Sequence, residues 1–244
     1  MRRIAIAVLL LSAVFAPVAR AAGAYVAWDE CRGGGGASAR TFACDTNSGS
    51  DAIWVSFVPP AGITQLTGIT ATLEIAVAPL EVMPDWWSFK NTGACRQTSL
   101  GVGYDFVGVS SACADRWGGQ AAGGIGGYSN PFLSYAFRSR CTVVVAVPPS
   151  AYGPVDANTE YNAFRLAIDH ARTVGAGSCA GCEQAVCVVA TSFQLYQPVE
   201  VEPVPVEAVT APVSFVTWQS VIPECPAYVP VRNRTWGAIK TLYR

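Results

Sequence analysis

Nine cysteines give this chain its clearest chemistry. In an exported chain the default state of a cysteine is the disulfide. Closeness along the sequence predicts that Cys31 pairs with Cys44 and that Cys95 pairs with Cys113. A third bridge is expected inside the loop that carries Cys179, Cys182 and Cys187, and a fourth from that loop to Cys225. This group of four cysteines would then form two bridges.

A metal site is the alternative use of this group, because structural zinc sites use thiolates at short spacing. The loop with Cys179, Cys182 and Cys187 lacks a nearby fourth ligand, although Cys225 could approach it. Disulfides are therefore favoured, and the pairing inside the group stays open. The odd count leaves one thiol over. Cys141 is the candidate, since it begins an apolar run in which a thiol behaves as a small hydrophobe.

His170 is the only histidine, so a Ser-His-Asp or Cys-His site would have to use it. Asp169 is its neighbour in sequence, but successive side chains of a strand point to opposite faces, so this carboxylate is badly placed to orient the ring. The sequence also lacks the Gly-x-Ser-x-Gly motif of a nucleophile elbow. We therefore interpret His170 as structural and predict no catalytic residue.

Three tryptophans, Trp86, Trp87 and Trp117, could form an aromatic platform that stacks on sugar rings. Such a platform needs exposed ring faces. The favoured interpretation is a small core beneath the insertion, because burying an aromatic ring removes a large area from water.

Acidic side chains lie in the same region. Two of them facing one cleft could cleave a glycosidic bond, but their geometry is not fixed by the sequence. They are Asp85, Asp105 and Asp115.

Oxygen-bearing side chains alternate at Asp45, Asn47 and Asp51, as they do in a calcium loop. The segment lacks the bidentate glutamate and the glycine placement of an EF-hand. An Asx-rich turn explains the pattern as well as a Ca²⁺ site does. No other cofactor is expected.

The elements that must position these residues are strands. Apolar residues alternate around Phe164 and again around Leu195, with a cysteine-containing loop between the two runs. We predict a long hairpin over 158–198 pinned by a disulfide, with Cys187, Val189, Phe193 and Leu195 on one side. A helix over 159–173 is the alternative, but it would turn Leu166 away from the apolar face.

Further strands are expected throughout the chain, and no regular alternation with helices occurs. We therefore predict an all-β antiparallel sandwich, either a jelly roll or an immunoglobulin-like fold. We expect residues 22–231 to form one domain, interrupted by an irregular, disulfide-braced insertion at 84–127. A short amphipathic helix is expected at 232–244, packed on this domain. The strand candidates lie near 25–28, 53–58, 69–77, 141–147 and 213–218.

The N-terminus predicts export. Arg2 and Arg3 precede an apolar run, and Ala19-Arg-Ala21 offers a cleavage site, so residues 1–21 are expected to be a signal peptide. Its removal leaves 13 basic and 17 acidic residues, a net charge of −4. This balance offers no electrostatic footprint for nucleic acid. No apolar run reaches transmembrane length, so we expect a secreted or cell-surface protein without a membrane anchor.

Four stretches resemble a group of uncharacterised secreted bacterial β-rich proteins. They are Pro84-Asp-Trp-Trp87, Cys95-Arg-Gln-Thr-Ser-Leu100, Ser178-Cys-Ala-Gly-Cys182 and Asn233-Arg-Thr-Trp-Gly237 followed by Ile239-Lys240 and Leu242-Tyr-Arg244. The resemblance covers most of the mature chain. It implies a shared secreted, β-rich build, and it transfers no activity and no catalytic residue.

Three functions compete on this sequence. The first is a secreted or cell-surface sandwich with a non-catalytic structural or interaction role, whose partner stays open between a glycan and a cell-surface protein. The second is a carbohydrate-binding module that uses Trp86, Trp87 and Trp117. The third is a secreted hydrolase, which the missing nucleophile motif disfavours. The first is the prediction, and exposure of the tryptophans decides between it and the second.

Overall fold

A computed structural model describes residues 22–77, 82–133, 135–198, 204–206, 215–220 and 225. The predicted signal peptide and the predicted C-terminal helix lie outside these residues. Within the described ranges, no helix is long and apolar enough to cross a membrane.

The described chain forms two packed sheets. Sheet A has the strand order β1-β3-β9-β5, with β6 beside β9. Its strands are β1 (Gly23–Trp28), β3 (Ser50–Val58), β5 (Leu100–Gly103), β6 (Ala114–Asp115) and β9 (Tyr161–Asp169).

Sheet B has the order β2-β12-β10-β4-β8-β7, with β11 also beside β10. Its strands are β2 (Ala39–Arg40), β4 (Gly68–Val77), β7 (Ala122–Ser129), β8 (Arg138–Ala146), β10 (Val186–Tyr196), β11 (Val204–Val206) and β12 (Phe215–Trp218).

The core lies between the two sheets, because the strands alternate apolar and polar positions. In β4, Ile69, Ala71 and Leu73 are buried, while the residues between them are partly exposed. Phe164 and Leu166 of β9 face them from sheet A. Long pairings are antiparallel, as between β4 and β8. The prediction of an all-β antiparallel sandwich is confirmed in this coarse form.

The predicted hairpin over 158–198 is wrong, although both of its strands exist. β9 belongs to sheet A and β10 to sheet B, so the cysteine-containing loop crosses from one sheet to the other. The predicted side of β10 is also wrong in its first half. A register shift between Ala190 and Ser192 leaves Thr191 as an extra residue, so Val188, rather than Val189, lies on the core side with Phe193.

The disulfides join distant segments rather than near neighbours in sequence. The bonds Cys31–Cys44 and Cys95–Cys113 are therefore wrong, and so is a bridge inside the 179–187 loop. The reason is that the packing of the two sheets brings together cysteines that are far apart in sequence. The observed bonds are Cys31–Cys113, Cys44–Cys182, Cys95–Cys179 and Cys187–Cys225.

The segment 84–127 is less irregular than predicted. Its glycine-rich end forms most of β7, an edge strand of sheet B, and it contributes β5 and β6 to sheet A. Its two cysteines bond to Cys31 and Cys179 outside the segment. The segment is therefore braced against the body of the sandwich and is part of both sheets.

Cys141 is free and buried on the core side of β8. Burial raises the pKa of this thiol to about 12, an effect that the charge of Lys90 partly opposes. Because the thiolate is the reactive form, the folded protein keeps Cys141 chemically inert.

Candidate functional site

Burial argues against the aromatic platform, which was the alternative interpretation of Trp86, Trp87 and Trp117. Trp86 and Trp87 sit on a short 3-10 helix at Asp85–Trp87, and the rings of both are 0% exposed. The ring of Trp86 stacks on Trp218 at 5.2 Å between centroids, and Trp87 meets Trp218 edge-on at 5.7 Å. Trp28 lies 5.8 Å from Trp218 on another side. We call these four residues the tryptophan cluster; no ring face is free to stack on a sugar.

Arg96 covers the tryptophan cluster from one side. Its guanidinium lies 3.5 Å from the ring centroid of Trp86. It donates to the backbone oxygens of Trp86 at 2.8 Å and Ala171 at 3.0 Å, and also to that of Asp169. Burial lowers the pKa of Arg96 to about 9, and the charge of Asp169 partly offsets this. A buried cation held by three carbonyls fixes the chain after β9 in place.

Trp117 is buried but lies apart from the cluster. Its Nε1 donates to the Ala163 oxygen at 2.8 Å, which attaches it to β9. The main-chain N–H of Trp117 donates to Asp115 Oδ1 at 2.8 Å in a local turn. All three tryptophans are buried, as the favoured interpretation expected, but they belong to the main hydrophobic core and not to a separate small core.

The acidic residues of this region serve turns where the structure shows their contacts. Asp115 accepts hydrogen bonds from the N–H groups of Trp117 and Gly118, and Asp105 accepts one from Val107 at 2.9 Å. Both patterns are Asx turns, in which a side chain substitutes for a backbone acceptor.

The predicted calcium ligands already have protein partners. Asn47 Oδ1 accepts from the N–H groups of Thr173 at 2.8 Å and Val174 at 3.0 Å. Asp51 is 2% exposed, forms an ion pair with Arg40 and lies within hydrogen-bond distance of His170 Nε2. A calcium ion at Asp45, Asn47 and Asp51 stays a prediction, but these contacts argue against it because a cation would have to compete with Arg40.

His170 is held on every side, which supports a structural role. Its Nε2 lies 2.8 Å from Asp51 Oδ2 and its Nδ1 lies 3.0 Å from the Ser48 oxygen. Its ring stacks on Phe42 at 3.9 Å. With both nitrogens engaged, neither is left to accept a proton from a nucleophile.

One group of possible metal ligands occurs in the described part of the chain, formed by Cys31, Cys113 and Glu160. The two sulfurs are bonded to each other, so they do not bind a metal in this state. Ser56 donates to Glu160 at 2.6 Å, which accounts for one carboxylate oxygen.

A different surface carries exposed apolar side chains. The connection between β7 and β8 presents Leu133 at 72% exposure and Tyr135 at 48%. Val82 lies beside it at 72% exposure, since the N–H of the next residue, Met83, donates to the Ala136 oxygen at 2.8 Å. The same connection carries two further aromatic rings. We call the whole set the aromatic–arginine patch: Val82, Phe132, Leu133, Tyr135, Phe137, Arg138 and Arg140.

The patch is ordered by stacking and backbone bonds. The Arg140 guanidinium lies 3.5 Å from the Phe132 ring centroid, and the rings of Tyr135 and Phe137 meet edge-on at 5.6 Å. Arg138 lies over both of those rings, at 5.4 and 5.2 Å. The N–H of Phe132 donates to the Arg138 oxygen at 2.7 Å, which closes the connection.

The backbone at the tip of the patch is strained. Leu133 has a φ of +55°, a conformation that costs a residue with a side chain about 1–2 kcal/mol. Because the leucine side chain is exposed, burial of apolar surface does not offset this cost. Strain of this kind is concentrated at functional sites.

Our sequence reasoning missed this patch. The available signal was a run of large apolar residues, Phe132, Leu133, Tyr135 and Phe137, directly after Asn130-Pro131. A turn that follows proline is normally polar, so this run departs from the expected pattern.

The fold defines a disulfide-linked, two-sheet β-sandwich protein. Its structure is similar to two solved cohesin modules. The first, from a family 33 glycoside hydrolase of Clostridium perfringens, has a TM-score of 0.36 and 7% identity, and covers 81% of this chain and 95% of that chain. The second, a type II cohesin module of the cellulosomal adaptor ScaA scaffoldin of Acetivibrio cellulolyticus, has a TM-score of 0.33 and 10% identity, and covers 73% and 86%. Similarity at this level assigns no family, partner or activity to this chain.

No protein-family model matches the sequence, and no curated protein matches it.

Proposed function

We propose that the protein is exported and acts as a non-catalytic β-sandwich that binds another protein through the aromatic–arginine patch. One observation carries the proposal: apolar side chains are exposed together in a chain that buries its large rings elsewhere. All six tryptophans in the described residues are buried, yet Leu133 and Val82 are each 72% exposed. Exposed apolar clusters of this kind mark interaction sites.

The composition of the patch supports a protein partner. Tyrosine, phenylalanine and arginine are enriched in protein interfaces, and tyrosine and arginine supply many of the residues that dominate binding energy. The stacking of Arg140 on Phe132 orders the surface before a partner arrives. This order lowers the entropy cost of association.

The compartment supports the same function. Four disulfides are present, and such bonds persist in oxidising environments outside the cytosol. Together with the predicted signal peptide at 1–21, they support a patch that meets extracellular or cell-surface proteins.

Capture with matched variants tests the proposal. The immobilised protein is exposed to the extracellular and cell-surface fraction of its source, in parallel with Leu133→Ser/Tyr135→Ser and with Val107→Ser. Val107 is 64% exposed and lies outside the patch, so it controls for the loss of any exposed apolar group. We expect the wild type and the Val107 variant to retain one protein that the double variant loses.

Three outcomes contradict the proposal. The first is equal capture by all three proteins, and the second is no capture by the wild type. The third is binding on a glycan array that the double variant loses, which would favour a carbohydrate ligand for the same surface. Circular dichroism of each variant confirms that the fold is retained.

A further inference from the structure

The edge of sheet B next to the aromatic–arginine patch is formed by β7. In the described part of the chain β7 pairs only with β8, so its other side carries no ladder. In an antiparallel pair, the N–H and C=O groups of alternate residues point away from the partner strand. β7 therefore presents a row of backbone donors and acceptors over eight residues.

The edge lacks most of the protection that sheet edges usually carry. Its sequence, Ala-Gly-Gly-Ile-Gly-Gly-Tyr-Ser, has no charged residue and no proline. Natural sandwiches block long edges with lysine, proline, bulges or short strands. Here only a register shift between Ile125 and Gly127 interrupts the strand.

Two glycines of β7 are not required by the fold. A Cβ built at Gly124 or Gly127 would meet nothing within 4 Å, and neither residue has a positive φ. Gly123 differs, since its Cβ would lie 2.3 Å from the Val144 oxygen. Glycine in a strand costs about 0.5–1 kcal/mol relative to alanine and often marks close approach of another backbone.

The register places these two glycines on the outer face of the sheet. Gly124 pairs with Val144 and Gly127 with Thr142. Directly opposed residues share a face, and Val144 is 41% exposed. An added strand would meet open space at both glycines, so its own side chains can be large there.

The C-terminal end of β7 lies beside the patch. Ser129 pairs with Arg140, whose side chain is 39% exposed. In the described contacts, one terminal nitrogen of Arg140 donates a hydrogen bond to Glu74. A guanidinium has five N–H donors, so further donors are available for a second carboxylate. A strand added outside β7 would lie about 10 Å from β8, because two strand spacings separate them. The side chain of Arg140 on β8 and a glutamate on the added strand can together span this distance.

We propose that β7 accepts an extended segment of the partner protein as an additional antiparallel strand. This segment carries large side chains opposite Gly124 and Gly127 and a carboxylate opposite Ser129 that reaches Arg140. Backbone hydrogen bonds supply affinity in such an addition, and alternate side chains supply specificity. The inference rests on the proposed function, because the segment belongs to the protein that the patch binds.

Other occupants fit this chemistry less well. A second copy of β7 offers no carboxylate and mostly small side chains on its outer face. The chain beyond Cys225 contains no aspartate or glutamate and has basic residues, so it lacks the group that Arg140 would bind. An acidic, extended segment of another chain is the occupant that we select.

The test uses a blocked nine-residue peptide that alternates tyrosine with threonine and carries glutamate at its N-terminal end. One control peptide has proline in place of the central threonine, and another has lysine in place of glutamate. We expect the first peptide to bind the full-length protein and to slow amide hydrogen exchange in β7. Each control peptide is expected to bind at least tenfold more weakly.

Protein variants complete the test. Gly124→Trp fills the open space on the outer face and should weaken peptide binding about tenfold. Ala176→Trp places the same ring at an exposed position in the connection between β9 and β10 and should leave binding unchanged. Absence of peptide binding, unchanged exchange in β7, or equal binding by Gly124→Trp overturns the inference. A dimer in sedimentation that Gly124→Trp dissociates would overturn it in favour of self-association.

The failures of the two proposals are distinguishable. If Leu133→Ser/Tyr135→Ser loses the captured protein while the peptide fails to bind, strand addition is wrong and the patch still binds a partner. If the double variant captures the protein as the wild type does, the proposed function itself is wrong.

Discussion

The tryptophan cluster and the aromatic–arginine patch both combine aromatic rings with an arginine, but the cluster is buried and the patch is exposed. In the cluster, Arg96 stacks on Trp86 and both side chains are almost fully buried. In the patch, Arg140 stacks on Phe132 at the same 3.5 Å, but neighbouring Tyr135 is 48% exposed. Aromatic rings with arginine therefore do not define a function by themselves. Burial decides whether the pair stabilises the fold or remains available to a partner.

The largest effect is expected for Trp86→Ala. The ring is fully buried against Trp218 and its Nε1 donates to Thr173 Oγ1 at 3.1 Å. Truncation should lower the free energy of unfolding by about 3–5 kcal/mol, measured by urea denaturation. Tyr135→Ala should change it by less than about 0.5 kcal/mol. Similar losses of unfolding free energy in both variants would contradict the conclusion that the cluster stabilises the fold and the patch does not.

The two arginines provide the next test. Arg96→Met keeps most of the side-chain volume but leaves three backbone oxygens without this donor. We expect a loss of about 2–4 kcal/mol in unfolding free energy, because buried acceptors left unsatisfied are costly. Arg140→Met serves as the comparison, and a smaller loss than for Arg96→Met is expected, because Arg140 is 39% exposed and Arg138 still lies 3.6 Å from the buried Glu74 carboxylate. The reverse order would contradict the assignment of roles.

Leu133→Gly should have a smaller effect of opposite sign. Glycine adopts the φ of +55° without a steric penalty, and the leucine side chain is mostly exposed. We expect thermal denaturation to show a gain of up to about 1 kcal/mol, together with weaker partner binding. A loss of stability would show that Leu133 packs in the fold.

The pH dependence of Cys141 alkylation tests whether the sandwich stays closed in these variants. Burial raises the pKa of its thiol to about 12, so the folded protein holds almost no thiolate between pH 7 and 9. Iodoacetamide labelling, followed by mass spectrometry, should stay slow across this range in the wild type and in patch variants. Fast labelling of the wild type that levels off near pH 9 would show an accessible thiol with a normal pKa.

Sequence patterns predicted the strands better than their partners. Alternation around Phe164 and in β4 identified buried faces correctly, because burial on one side of a strand forces a period of two. Assigning β9 and β10 to one hairpin failed, because nothing in a strand pattern states which sheet the next strand enters. Two predicted disulfides failed for the same reason, since Cys31 bonds to Cys113, 82 residues away. The predicted bridge from the 179–187 loop to Cys225 is confirmed and forms from Cys187.

The candidate site was harder to predict than the fold. Their residue type made Trp86 and Trp87 candidates for ligand binding. The exposure of both rings depends on packing against Trp218, which is far along the chain. Phe132 to Phe137 carried a visible apolar run, yet the same run is also compatible with a buried strand. Only the edge position of β7 and the order of sheet B place these residues on the surface.

Photo-crosslinking tests the central claim most directly. A benzoylphenylalanine is introduced at Tyr135 in the patch or at Val107 outside it, and each protein is irradiated with the extracellular and cell-surface fraction of its source. Both positions are exposed, at 48% and 64%, so they differ in location rather than in access. The account predicts one discrete crosslinked protein at position 135 and none at position 107. Equal crosslinking at both positions, or a specific product at 107 alone, would contradict it.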